Sequence, residues 1–217
     1  MRMKNLVIGF FLIIAIIFLI MLFSITSGNK IEFTNLPNLT QTPGQPTISS
    51  DNPIVGAENP KVIIVEFGDF ANQTSISVAK SLNTLLEKYP DDLAIVWKDF
   101  PNTSLNPQAQ AAAVAARCAQ NQNAFWEFQK LLIVNSDILS SDLYPAIAND
   151  LDIWQWFYKR CLTKENTLSL VQDDLDEAYE LSLPAAPSIF VNGQQYSGYL
   201  SSQELEQIIK SALNDYE

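Results

Sequence analysis

Few side chains in this chain can do chemistry, and their types restrict what that chemistry can be. None of the 217 residues is a histidine, which removes Ser-His-Asp triads, Cys-His nucleophile pairs, histidine-rich zinc sites and imidazole proton shuttles. The two cysteines, Cys118 and Cys161, fall far apart on separate segments. Two thiolates without histidine fall short of the four ligands of a structural metal site, so no metal is expected. They could form a disulfide, act as a redox pair, or stand as two independently buried thiols. Seven scattered glycines build neither a dinucleotide fingerprint nor a phosphate-binding loop, and no cofactor is implied. Thirteen Lys and Arg stand against 24 Asp and Glu, a net charge of −11. Because Arg2 and Lys4 precede the rest, residues 28–217 carry 11 against 24, or −13. Such a body repels phosphate backbones, so nucleic acid is not an expected partner.

The elements that must position these residues can be read along the chain. An apolar content of 47% over 217 residues suffices for one domain with an additional segment. That segment is Leu6 to Ile25, LVIGFFLIIAIIFLIMLFSI, uncharged and long enough to span roughly 30 Å of hydrocarbon as a helix. It predicts a single-pass transmembrane anchor at 6–25. Arg2 and Lys4 precede it, so the positive-inside tendency puts 1–5 in the cytoplasm and the remainder outside the cell membrane. A cleaved signal peptide is the alternative. It fits less well, because the apolar run exceeds the usual length and Ser24-Ile25-Thr26-Ser27 is a poor cleavage site. Residues 26–55, rich in Asn, Thr, Pro and Ser, read as a solvated tether to a domain over 56–217.

Within that domain Lys61–Phe67 reads as a buried strand. The helix after it is capped by Thr74 or Ser75, carries Val78, Ala79, Leu82, Leu85 and Leu86 on one face, and is stopped by Pro90. Leu93–Phe100 is a second strand, and a helix between the two makes them parallel neighbours. Helical patterns follow at Pro107–Gln120, Ala124–Val134, Ser141–Leu151, Ile153–Leu162 and Asn166–Leu183, a helical block over about 104–183. Ser188–Asn192 is a strand turning at Asn192-Gly193, with Gln195–Tyr199 as its hairpin partner. Ser201 and Glu204 form a capping box for a last helix bearing Leu205, Ile208, Ile209, Ala212 and Leu213. The order β-α-β, helical insert, β-β-α is an α/β arrangement of the thioredoxin-like kind with an inserted helical domain.

Four stretches in that order carry a family resemblance: Val65-Glu66-Phe67-Gly68-Asp69-Phe70, Lys98-Asp99-Phe100-Pro101, Ala115 to Trp126, and Ala186-Pro187-Ser188-Ile189-Phe190-Val191-Asn192-Gly193. From about Pro53 to the C-terminus the chain resembles the DsbA-like branch of thioredoxin-fold thiol-disulfide oxidoreductases. The resemblance implies a Cys-X-X-Cys at the start of the first helix, where the helix terminus stabilises a thiolate that attacks disulfides. Here those four positions are Asn72, Gln73, Thr74 and Ser75, and both cysteines are absent. An amide is no nucleophile, and a hydroxyl without a base cannot exchange with a disulfide. The resemblance also makes Pro187, after Ala186, the cis-proline facing that helix beside a groove for extended peptide. It matches Glu66 to the buried acid that serves the inner cysteine. With no cysteine to serve, Glu66 reads equally well as a strand carboxylate that remains. A structural disulfide between the helices that hold Cys118 and Cys161 is implied as well, and pairing agrees with an extracytoplasmic location.

Two functions follow as expectations. One is a membrane-anchored, redox-inactive DsbA-like module that binds an extended or unfolded polypeptide, or an envelope protein, beside Pro187. The other is an oxidoreductase that keeps a redox role through Cys118 and Cys161.

Overall fold

In the computed structural model, which describes Ile14, Ile16, Ile17 and residues 43–215, the chain runs β1 (Ile54–Gly56), β2 (Val62–Gly68), α1 (Gln73–Lys88) and β3 (Leu93–Asp99). It continues through α2 (Ala109–Gln120), α3 (Phe125–Val134), a 3-10 turn at Ser136–Ile138, α4 (Leu143–Asp150), α5 (Gln155–Cys161) and α6 (Glu165–Glu180). The strands β4 (Ser188–Val191) and β5 (Gln194–Ser197) and the helix α7 (Ser202–Asn214) follow. Five strands make one sheet in the order β1-β3-β2-β4-β5. Strands β2 and β3 pair in parallel, with Glu66 opposite Trp97, and every other neighbour is antiparallel. This is the mixed α/β, thioredoxin-like order expected, with α2 to α6 as the helical insert.

Strands β2 and β3 are buried along their whole length, the charged Glu66, Lys98 and Asp99 included, as expected of central strands covered on both faces. On one face Val62, Ile64, Leu93, Ile95, Ile189 and Val191 pack under α1 and α7 through Val78, Leu82, Leu85, Leu205 and Ile209. The other face, with Ile63, Val65, Phe67, Val96 and Phe190, is covered by Ala178 and Leu183. The insert has its own core, in which the alanines of α2 let Phe128, Leu132, Tyr144, Ile147 and Tyr158 approach closely. Phe70 and Trp97, stacked with ring centroids 4.6 Å apart, join that core to the sheet.

Strand β1 falls where the sequence reads as tether. It is short and sits at the sheet edge, and Ile54 pairs with Val96. Gly56 is required there, since its φ is +123° and a Cβ would collide with the Leu93 carbonyl oxygen. The residues just before it are strapped down. The Asp51 carbonyl accepts from Arg117 Nη1 (2.8 Å) and Gln120 Nε2 (2.9 Å), the Pro53 carbonyl from the Trp97 amide (3.0 Å), and Glu177 Oε1 from the Thr47 amide (2.6 Å). Beneath this strap lies a buried ionic cluster. Arg117 Nε donates to Asp99 Oδ2 (2.6 Å) and Nη2 to Asp174, while Lys98 Nζ reaches Asp174 Oδ1 (3.1 Å) and Glu177 Oε2 (2.5 Å). Burial works against the Arg117 charge, but the Asp99 and Asp174 carboxylates outweigh it and raise its pKa.

The anchor expected at 6–25, apart from Ile14, Ile16 and Ile17, lies outside the described residues, as do the cytoplasmic stretch 1–5 and most of the tether. Among the described residues no helix is long and apolar enough to cross a membrane.

Candidate functional site

The C-terminal end of β2 delivers the chain to α1 through a turn held by Asp69. This buried carboxylate accepts from the Ala71 amide through Oδ1 (2.8 Å) and the Asn102 amide through Oδ2 (3.0 Å), and desolvation raises its pKa despite these bonds. Asn72 follows as the N-cap of α1, one turn earlier than the Thr74 or Ser75 that the sequence suggests. Its Oδ1 accepts from the Thr74 amide (2.8 Å) and the Ser75 amide (3.1 Å), which is why an asparagine is stable here. Its Nδ2 donates to the Ala186 carbonyl at 3.3 Å. A single amide thus covers the helix amides that would otherwise be open to an anion and ties α1 to the loop ahead of β4. In that loop the Ala186–Pro187 peptide bond is cis. Gln73 points outward and donates through Nε2 to Asp137 Oδ1 (3.1 Å), linking α1 to the turn after α3.

Ser75 faces inward, 1% exposed, and its Oγ has no hydrogen-bond partner among the described residues. The same holds for Glu66 Oε1 on β2 and Gln129 Oε1 on α3. Burial pushes the Glu66 carboxyl up to about 8, so it is largely protonated at neutral pH. The structure therefore brings Asn72 against Ala186 and keeps Glu66 in the sheet core under α1. Asp137 joins the surroundings of the site through Gln73, yet no local pattern marks it, because its role depends on which helices the insert brings alongside.

A cleft of about 480 Å³ opens beside Asn72 and Ala186. Its walls include Phe100, Leu105, Leu175 and Tyr179, and the Leu105 and Tyr179 side chains stand 79% and 63% exposed. Tyr179 is braced edge-on against Phe100, with centroids 6.0 Å apart. The lining mixes these apolar side chains with the polar Asn72, Asn102, Ser104 and Gln172, a combination that can meet both the side chains and the backbone of an extended chain.

Cys118 and Cys161 are joined in a disulfide between α2 and α5. Cys118 is wholly buried and Cys161 nearly so. Since the chain has only these two cysteines, neither thiol is free. Among the described residues no group of three or more His, Cys, Asp or Glu side chains could hold a metal.

Comparison with known proteins agrees with this geometry. The family model described as Thioredoxin matches residues 49–211. The Na(+)/H(+) antiporter NhaA 1 of Mycolicibacterium gilvum (strain PYR-GCK) is 33% identical over 145 residues, covering 66% of this chain and 24% of the antiporter. The chain thus spans about a quarter of the length of such curated relatives. Disulfide bond formation protein D of Bacillus subtilis (strain 168) is 26% identical over 179 residues, covering 78% of this chain and 80% of that protein. Among solved structures, a thioredoxin-like oxidoreductase from Silicibacter pomeroyi DSS-3 superposes with a TM-score of 0.69 at 19% identity, over 76% of this chain and 94% of the other. Alpha-DsbA1 from Wolbachia pipientis gives a TM-score of 0.69 at 16% identity, over 81% and 98%. A sheet of this order, a cis-proline loop held against the first helix, and a family model covering most of the chain make this protein a member of the thioredoxin family.

Proposed function

We propose that this chain is a membrane-anchored, extracytoplasmic DsbA-like module that binds extended polypeptide in the cleft beside Asn72 and Ala186 and performs no thiol-disulfide exchange there. The observation that carries the reading is the Asn72 amide, which takes the place of the attacking thiol and closes the helix terminus with its own oxygen. No proton or electron pair at that position can open a disulfide. The cleft next to it remains, with Leu105 and Tyr179 exposed on its walls. The alternative redox role for Cys118 and Cys161 is disfavoured by burial, since exchange needs a thiolate with access to an in-line sulfur.

The test uses the full chain in detergent and a labelled, permanently unfolded polypeptide whose cysteines are alkylated. Binding is expected without any insulin reduction or dithiol oxidation. Leu105→Asp or Tyr179→Ser should weaken it about tenfold, as truncation of an interface anchor does. Undiminished binding by both variants would move the site elsewhere, and turnover in the redox assays would overturn the inactive reading.

A further inference from the structure

Helix α5 displays three aromatic side chains to solvent. Trp154, Trp156 and Phe157 are 65%, 58% and 47% exposed, in a chain whose other two tryptophans are buried or half-buried. They touch one another edge-on, with Trp154–Phe157 and Trp156–Phe157 centroids 4.6 and 4.7 Å apart. The display is rigid, because the opposite side of the segment is pinned. Ile153 and Tyr158 are buried, Cys161 is bonded to Cys118, and the Trp154 amide and carbonyl are both held by the side chain of Gln122. Cations flank the rings. Arg160 lies over Trp156 at 5.4 Å, and Lys159 and Lys164 are exposed. Between Asp152 and Glu165 this stretch holds three cations and no acid, in a body that is otherwise strongly acidic.

We infer that this patch is a membrane-docking surface that seats the domain on anionic phospholipid. Two quantities choose this occupant. At about half exposure, three aromatic side chains of 150–250 Å² leave roughly 300–400 Å² uncovered. A stable contact with a second copy or another folded protein needs about 800 Å² from each partner. Aromatic rings edged by Lys and Arg match the headgroup layer, where the rings reach the acyl boundary and the cations meet lipid phosphate. The inference rests on the membrane placement proposed above, which brings the domain within reach of the bilayer.

Tryptophan fluorescence of the full chain tests it directly, because Leu6 to Ile25 contains no tryptophan. The chain is reconstituted into vesicles of phosphatidylglycerol or of phosphatidylcholine, each with brominated acyl chains. Emission from Trp154 and Trp156 should be lost in the anionic vesicles and largely kept in the zwitterionic ones. The exposed triple change Lys159→Glu, Arg160→Glu and Lys164→Glu should restore it at an unchanged melting temperature. Carbonate extraction reports insertion of the apolar segment separately, so failure of the anchor and failure of docking are distinct. Full emission in anionic vesicles overturns the inference whether or not the segment inserts. So does quenching that ignores headgroup charge, or shielding from acrylamide without quenching by bromine, which would mean a protein covers the patch.

Discussion

Asn72 and Glu66 hold opposite ends of one small question, namely what remains of a reactive site when its sulfur is gone. The helix-terminal amides that bond to Asn72 Oδ1 come from the backbone, so they should act on whatever side chain replaces it. Asn72→Cys together with Ser75→Cys is expected to give a thiol with a depressed pKa and a pair that exchanges with a model peptide disulfide, while either single change does not cycle. Iodoacetamide reactivity against pH and an insulin assay decide this. An inert double variant with an ordinary thiol pKa would place the site elsewhere. Glu66 makes its own prediction. Burial holds its folded pKa at about 8, above the ordinary 4.5, so the folded state binds the extra proton. Its contribution is then fully present below pH 4.5 and is lost as pH rises through 8. Between 4.5 and about 8 the loss is on the order of 5 kcal/mol, at about 1.4 kcal/mol for each pH unit. Glu66→Gln carries no proton to lose, so chemical denaturation at pH 5 and 9 should show the wild type losing stability across that range and the variant holding it. Parallel pH profiles for the two proteins would show that the carboxyl is already solvated.

At the scale of elements, the disulfide between α2 and α5 closes a loop with a sequence separation of 43. In the chain-entropy picture this stabilises the domain by about 4 kcal/mol. Reduction, or Cys118→Ala with Cys161→Ala, should lower the melting temperature and loosen α5 first, while leaving binding in the cleft of the still-folded protein intact. Hydrogen exchange resolved by segment measures this, and uniform loosening of the sheet together with α5 would show that the insert and sheet unfold as one. The sequence makes most of these elements legible for a physical reason. Strands β2 and β3 are predominantly apolar, β-branched runs, α7 announces itself by the Ser201–Glu204 capping box, and alanine spacing marks α2. Strand β1 escapes notice because three residues carry no periodicity and its pairing is decided by the β3 edge. The Asn72 cap escapes for a related reason. Asparagine, threonine and serine at 72, 74 and 75 can each start a helix, and only the Asp69 turn and the Ala186 carbonyl choose among them. The outward aromatic face at Trp154, Trp156 and Phe157 is not legible from the helical pattern over Ile153–Leu162, because it depends on Tyr158 and Cys161 filling the core.

For the whole molecule, charge and reach combine into a prediction about sidedness. Residues 28–217 carry −13, whereas Arg2 and Lys4 are the only charges ahead of the apolar run. Under the proposed anchoring, retention of basic residues on the cytoplasmic side is expected to direct the acidic body outward. A disulfide between Cys118 and Cys161 is also stable there and would be reduced in most cytosols. These two arguments are independent, one resting on insertion energetics and the other on redox poise, and they name the same side. Protease added to intact spheroplasts should therefore degrade the domain and leave a small membrane-embedded fragment. The substitution pair Arg2→Glu and Lys4→Glu should shift part of the population to the protected side by weakening the positive-inside signal. In the protected fraction the cysteines should be reduced, which alkylation before and after dithiothreitol reads as a mass difference. A wild-type domain that resists protease until the membrane is broken, with both thiols free, would reverse the orientation and remove the redox argument with it.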